Sequence, residues 1–194
     1  MSKEKYQIRT SMSEFTTRKD GDVPHISGYF AVFNKVYEVF KGCTESIAPG
    51  AFTDELHSDV RALINHDTRL VIGRTIPGTL ELREDEIGLW GDVAINPKDS
   101  EAMNCLARVE RGDVSQCSIG FDIIDEGHEI LENGTHHYTI RKVKLYEVSC
   151  CTFPAYEDTA ISARKADIAA IEKRRTDVWR EGRHKRLKEV SHGA

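Results

Sequence analysis

Three side chains of the types used in acyl transfer lie far apart in this sequence: the histidine of LINHD at His66, the serine of SQCSIGF at Ser118 and the glutamate of LYEVS at Glu147. Peptide hydrolysis by a serine needs a base to take the hydroxyl proton, and usually a third group that fixes the tautomer of that base and stabilises its charged form. Gly120, two positions after Ser118, matches half of a strand-to-helix nucleophile elbow, but that motif also requires glycine two positions before the serine, where Gln116 stands. A nucleophile at Ser118 would therefore sit on an ordinary strand. Each residue also has a plain reading: a strand serine packs, and a histidine next to a turn is a satisfied polar group. Composition and spacing alone leave the choice open.

The elements around these residues decide what they can reach. VRALINHD alternates, which places Val60, Ala62, Ile64 and His66 on one face of a strand. Val143, Leu145 and Glu147 also share a face, and a carboxylate in phase with apolar residues needs a partner, for which a histidine would serve. Asp67 is a rival third member, but an immediate neighbour of His66 on a strand points to the opposite face. By the same rule Cys117, Ile119 and Phe121 form an apolar row facing away from Ser118 and belong to a core.

NPKDSEAMNCLARVERGD predicts a helix with Asp99 or Ser100 as N-cap, Ala102, Leu106 and Val109 on one stripe and Gly112 as its stop, and it leads directly into the Ser118 strand. HISGYFAVF and VYEVF predict two paired strands, and TLELRE with GLWGDVAI a hairpin around a turn at Asp85 to Gly88. IAPGAFTDELHSD predicts a short helix, NGT at Asn133 to Thr135 a turn, and YTIRKVKLYEVSCCTF a last strand before Pro154. A count of roughly eight strands against two helices predicts a β-barrel.

At 194 residues the chain has room for one sizeable domain. Its 27 basic and 32 acidic residues give a net charge of −5, which offers no general attraction for nucleic acid. Ten lysines and arginines against five acids make the stretch from Arg164 to Ala194 basic, whereas the body before it is acidic. Arg174, Arg175, Arg183, Lys185 and Arg186 with Trp179 are either a solvated face or a dock for an acidic partner. No apolar run suits a membrane span or a signal peptide, so a cytosolic protein with no membrane partner is expected. Five scattered cysteines predict reduced thiols. His128, His136, His137, Cys150 and Cys151 lack the paired spacing of a zinc site, and neither a metal nor a cofactor is expected.

In order along the chain, GYFAVFN, IAPGAF, LINHD followed by IGR, DEIGLWGDVAI, RGDVSQCSIGF and LYEVSCCTFPAYEDTAI resemble the successive blocks of the tailed-phage prohead (capsid maturation) serine protease family, which is related in fold to the herpesvirus assemblins. The resemblance covers roughly Ile26 to Ile161. It implies an assemblin-like closed β-barrel with flanking helices over residues 26–163, preceded by a polar lead-in over 1–25 and followed by a basic, partly helical tail over 164–194. It implies a serine endopeptidase that works without a cofactor inside the assembling procapsid, in the host cytoplasm. The substrate would be scaffold or the scaffolding segment of the major capsid protein, and also the enzyme itself. By block, His66 becomes the general base, Ser118 the nucleophile and Glu147 the third member, where the herpesvirus relatives have a second histidine. Backbone amides near Gly73 and Arg74 are the expected oxyanion donors. The alternative is a catalytically silent internal capsid or scaffold-binding protein of the same fold.

Overall fold

The computed structural model describes residues 7–12, 15–153, 164–174, 176–177 and 180. In chain order the elements are β1 (Gln7–Met12), β2 (Thr16–Asp20), β3 (Val23–Val32), β4 (Tyr37–Phe40), β5 (Cys43–Ile47), β6 (Arg61–Ile64), β7 (Asp67–Arg74), β8 (Leu80–Glu84), β9 (Gly88–Ala94), α1 (Ser100–Arg111), β10 (Gln116–Ile130) and β11 (His136–Cys151). The chain divides into two compact units, Met1–Glu157 and Asp158–Ala194. The second contains a helix over 164–174, with Ile168 and Ile171 half-buried; Arg175, Val178, Trp179, Arg183, Lys185 and Arg186 lie outside the described residues.

The first unit is mainly β, but its strands do not close into a barrel. They form a seven-stranded sheet, ordered β1-β10-β11-β5-β4 with β6 and β7 attached through β11, and a four-stranded sheet ordered β2-β3-β9-β8. The expected closed barrel is thus corrected to two sheets with separate edges among the described residues. The expected pairing of HISGYFAVF with VYEVF is also corrected. β3 pairs with β2 and β9, whereas β4 pairs with β5 in the other sheet. Between them the chain changes sheets at Asn34, whose φ of 56° turns the backbone sharply.

Pattern and packing agree where alternation is strong. β8 and β9 form the antiparallel hairpin, turned by Asp85, whose Oδ1 accepts from the amides of Ile87 and Gly88. An added Cβ at Gly88 would lie 2.0 Å from the Ala31 carbonyl oxygen, so only glycine lets β9 begin this close to β3. α1 begins at Asp99, whose side chain accepts from the amides of Glu101 and Ala102, and ends at Gly112 in the left-handed region at φ 85°. It buries Ala102, Cys105, Leu106 and Val109 against a core that includes Phe30, Phe52, Val93, Ile119, Phe121 and Leu145. The short helix expected in IAPGAFTDELHSD is a 3-10 helix of three residues, Thr53–Glu55.

β11 organises the larger sheet. Along one edge it pairs antiparallel with β10; along the other it pairs parallel first with β5 and then with β6. Three segments distant in sequence therefore meet at the C-terminal half of β11.

Candidate active site

The alternation of VRALINHD predicts His66 on a strand, but a tight turn positions it instead. β6 ends at Ile64 alongside Cys150, and Asn65 and His66 then both adopt left-handed backbone, at φ 51° and 60°. Such conformations are uncommon outside glycine and persist where the surroundings hold them. Here the Asn65 amide donates to the Cys150 carbonyl at 3.0 Å, its side chain donates to Thr152 Oγ1 at 3.2 Å, and the Thr152 amide donates to Asn65 Oδ1 at 2.8 Å. The His66 amide donates to Ser149 Oγ at 3.3 Å.

This turn folds the imidazole back over β11. His66 Nδ1 lies 2.6 Å from Glu147 Oε1, and Ser149 Oγ donates to Glu147 Oε2 at 2.6 Å. The side chains of His66 and Glu147 are only 16% and 5% exposed, so the pair is shielded from solvent. An ionised carboxylate only accepts, so Nδ1 must carry the proton, which leaves Nε2 of a neutral ring as the basic nitrogen. The arrangement fixes the tautomer that a general base requires.

Nε2 lies 3.6 Å from Cys151 Sγ. Burial, together with the charge of Glu147, pushes the Cys151 thiol up to about 12, so at neutral pH it is a thiol and not a nucleophilic thiolate. Ser149 and Cys151 were not identified from the sequence. The signal was there in the alternation of β11, because Glu147, Ser149 and Cys151 fall on one face by period two.

Ser118 arrives from the other side. In the β10–β11 register Ser118 stands opposite Ser149, Gly120 opposite Glu147 and Gln116 opposite Cys151. Directly opposed residues in an antiparallel pair have Cβ atoms about 4.5–5.5 Å apart, so Ser118 is one cross-strand step from the residue that bonds both Glu147 and the His66 amide. Its Oγ donates to the Arg9 carbonyl at 3.0 Å, and the residue is fully buried. As folded, the site is closed.

The rival candidates have other partners. The Asp67 carboxylate is held by the Arg69 guanidinium at 3.0 and 2.7 Å, with the Arg69 amide at 2.9 Å, and these bonds lower it to about 2. Cys117 is fully buried on the opposite face, its Sγ 2.9 Å from the Tyr29 carbonyl. None of the five cysteines is in a disulfide, and all five are buried. Of the backbone amides near Gly73 and Arg74 expected as oxyanion donors, that of Arg74 donates to Thr79 Oγ1 at 3.0 Å. His128 and His136 stack with Nε2 and Nδ1 3.0 Å apart, and among the described residues no group of three or more His, Cys, Asp or Glu is arranged to hold a metal. No helix among them is long and apolar enough to cross a membrane.

The chain is 32% identical over 151 residues to the prohead protease of Enterobacteria phage HK97, a match covering 76% of this chain and 63% of that protein's length. The bacteriophage T4 capsid assembly protease has a similar fold, with a TM-score of 0.50 at 11% identity over 75% of this chain and 96% of that one. The profile of the caudovirus prohead serine proteases matches residues 11–174, and the chain belongs to that family.

Proposed function

We propose that the chain is a serine endopeptidase of procapsid maturation, with Ser118 as nucleophile, His66 as general base and Glu147 as the group that orients and stabilises the imidazole. The observation that carries this reading is the shielded 2.6 Å contact of His66 Nδ1 with Glu147, made diagonally across the β10–β11 pair from Ser118, in a member of this family. In the reaction the Ser118 hydroxyl proton passes to His66 Nε2 as Oγ bonds to the substrate carbonyl carbon. The imidazolium donates through Nδ1 to Glu147, then returns its proton to the leaving amine as the peptide bond breaks. Water repeats the sequence on the acyl-enzyme and regenerates Ser118. The substrates are scaffold or the scaffolding segment of the major capsid protein, and the chain itself.

The complete burial of Ser118 favours a second reading, a silent internal protein that binds capsid or scaffold. Co-expression with the major capsid protein separates the two. Intact-mass measurement should show trimmed capsid protein with the wild-type chain and full-length capsid protein with Ser118→Ala. Full-length capsid protein in both cases would contradict the protease reading.

A further inference from the structure

β1 covers the edge of β10 that carries Ser118. Its six residues run antiparallel along β10, with Thr10 opposite Ser118 and Arg9 opposite Ile119. The carbonyl that accepts from Ser118 Oγ belongs to Arg9. A hydroxyl has one proton, and while it is given to this carbonyl it is not available to an imidazole. The Arg9 side chain is held as specifically as its backbone. Nε donates to Glu45 Oε2 at 2.6 Å, Nη1 to the Ile8 carbonyl at 2.8 Å and Nη2 to Gln7 Oε1 at 2.7 Å. The guanidinium carbon lies 5.8 Å from the centroid of the Phe121 ring. Glu45, on β5, has a side chain only 2% exposed.

Resting on the protease reading above, we infer that β1 occupies the place of the substrate strand and that Glu45 selects a basic residue in the substrate. An extended capsid segment adds to the edge of β10, its arginine or lysine paired with Glu45 and the carbonyl of that residue set against Ser118 Oγ; Gln7–Met12 is an intramolecular competitor that leaves first. β1 is the terminal strand of its sheet, so its departure breaks only one row of backbone pairing and exposes an edge that an extended peptide can take over. Exchanging one cation for another keeps the buried ion pair, whereas a neutral residue removes the cation from Glu45 and an acidic one sets like charges together. The same account explains why a nucleophile would be fully buried in the resting fold.

The test uses the full chain and two quenched fluorescent peptides built on its own QIRTSM sequence, one with arginine and one with glutamine in the third position. Wild type should cleave the arginine peptide with a kcat/KM about 30-fold or more above the glutamine peptide, the ratio expected for losing one partner of a buried charge pair. Glu45→Gln, checked for folding by thermal melting, should bring that ratio close to one. Arg9→Ala should cleave the arginine peptide roughly tenfold or more faster than wild type, because the competing strand is weakened. Ser118-dependent cleavage with the same ratio in Glu45→Gln and wild type, and no acceleration in Arg9→Ala, would overturn the inference and leave the protease reading intact. Binding of the labelled peptides to Ser118→Ala, read by anisotropy, separates the converse case. A Glu45-dependent preference for arginine without cleavage by any variant supports the strand site while defeating the protease reading; binding without that preference overturns the inference.

Discussion

In the proposed mechanism the contact between His66 and Glu147 does more than place a charge beside the ring. Both oxygens of Glu147 accept, one from the imidazole and one from Ser149, so the carboxylate is fixed in position and in turn fixes the ring. Glu147→Gln keeps the shape but can present an amide NH2 to Nδ1, which moves the ring proton to Nε2 and leaves the wrong nitrogen basic. Turnover should fall by roughly three to four orders of magnitude with KM little changed. Ser149→Ala removes one bond to Glu147 and the acceptor for the His66 amide, and leaves the charge in place. About 1 kcal/mol of positioning is lost, so kcat should fall roughly fivefold. Steady-state kinetics on each variant, with folding checked by melting, measure both effects; equal losses in the two would show that the carboxylate charge is not what matters.

The two-residue turn after β6 is the element on which the proposed base, His66, depends. Asn65 holds left-handed backbone and also makes the side-chain bonds that pin the turn to Thr152. A β-branched residue tolerates this backbone poorly, so Asn65→Val should cost about 1–3 kcal/mol in stability and reduce turnover. Asn65→Gly, which accepts the backbone but makes no bond to Thr152, should recover most of the melting temperature and less of the activity. Equal behaviour of the two variants would locate the effect elsewhere.

This turn also shows how far the sequence could be read. The hairpin of β8 and β9 and the caps of α1 were legible because alternation and cap chemistry are local. The facing of Cys117 away from Ser118 followed from the same alternation. His66 was legible as a site residue, but not its placement, because the apolar alternation of Val60, Ala62 and Ile64 gives no sign that the next two residues leave the strand. β1 and β2 read as a polar lead-in, since β2 is exposed along its whole length and carries no apolar period. β5 was hidden for the opposite reason: CTESI buries Glu45 and Ser46, polar residues that read as loop. Which sheet β3 and β4 would join, and that the strands would not close into a barrel, depend on long-range pairing that no local pattern encodes.

At the scale of the whole molecule, one strand gathers the site. β11 carries Glu147 and Ser149, receives His66 through β6 along one edge, and faces Ser118 on β10 along the other. The sheet thereby converts three positions spread over the sequence into neighbours on one face, with the core residues Cys117, Ile119 and Val148 behind them. If these residues act as one unit, their losses are not additive. The most direct measurement is the rate of capsid-protein cleavage by Ser118→Ala, His66→Ala, the double variant and Cys117→Ala, each shown to be folded. Either single substitution at Ser118 or His66 should remove nearly all activity, and the double variant should be scarcely worse. Cys117→Ala should lose about 1–2 kcal/mol of stability from a small core deletion and keep its turnover. A folded Ser118→Ala that still cleaves, beside a folded Cys117→Ala that does not, would contradict the assignment of Ser118 as the nucleophile.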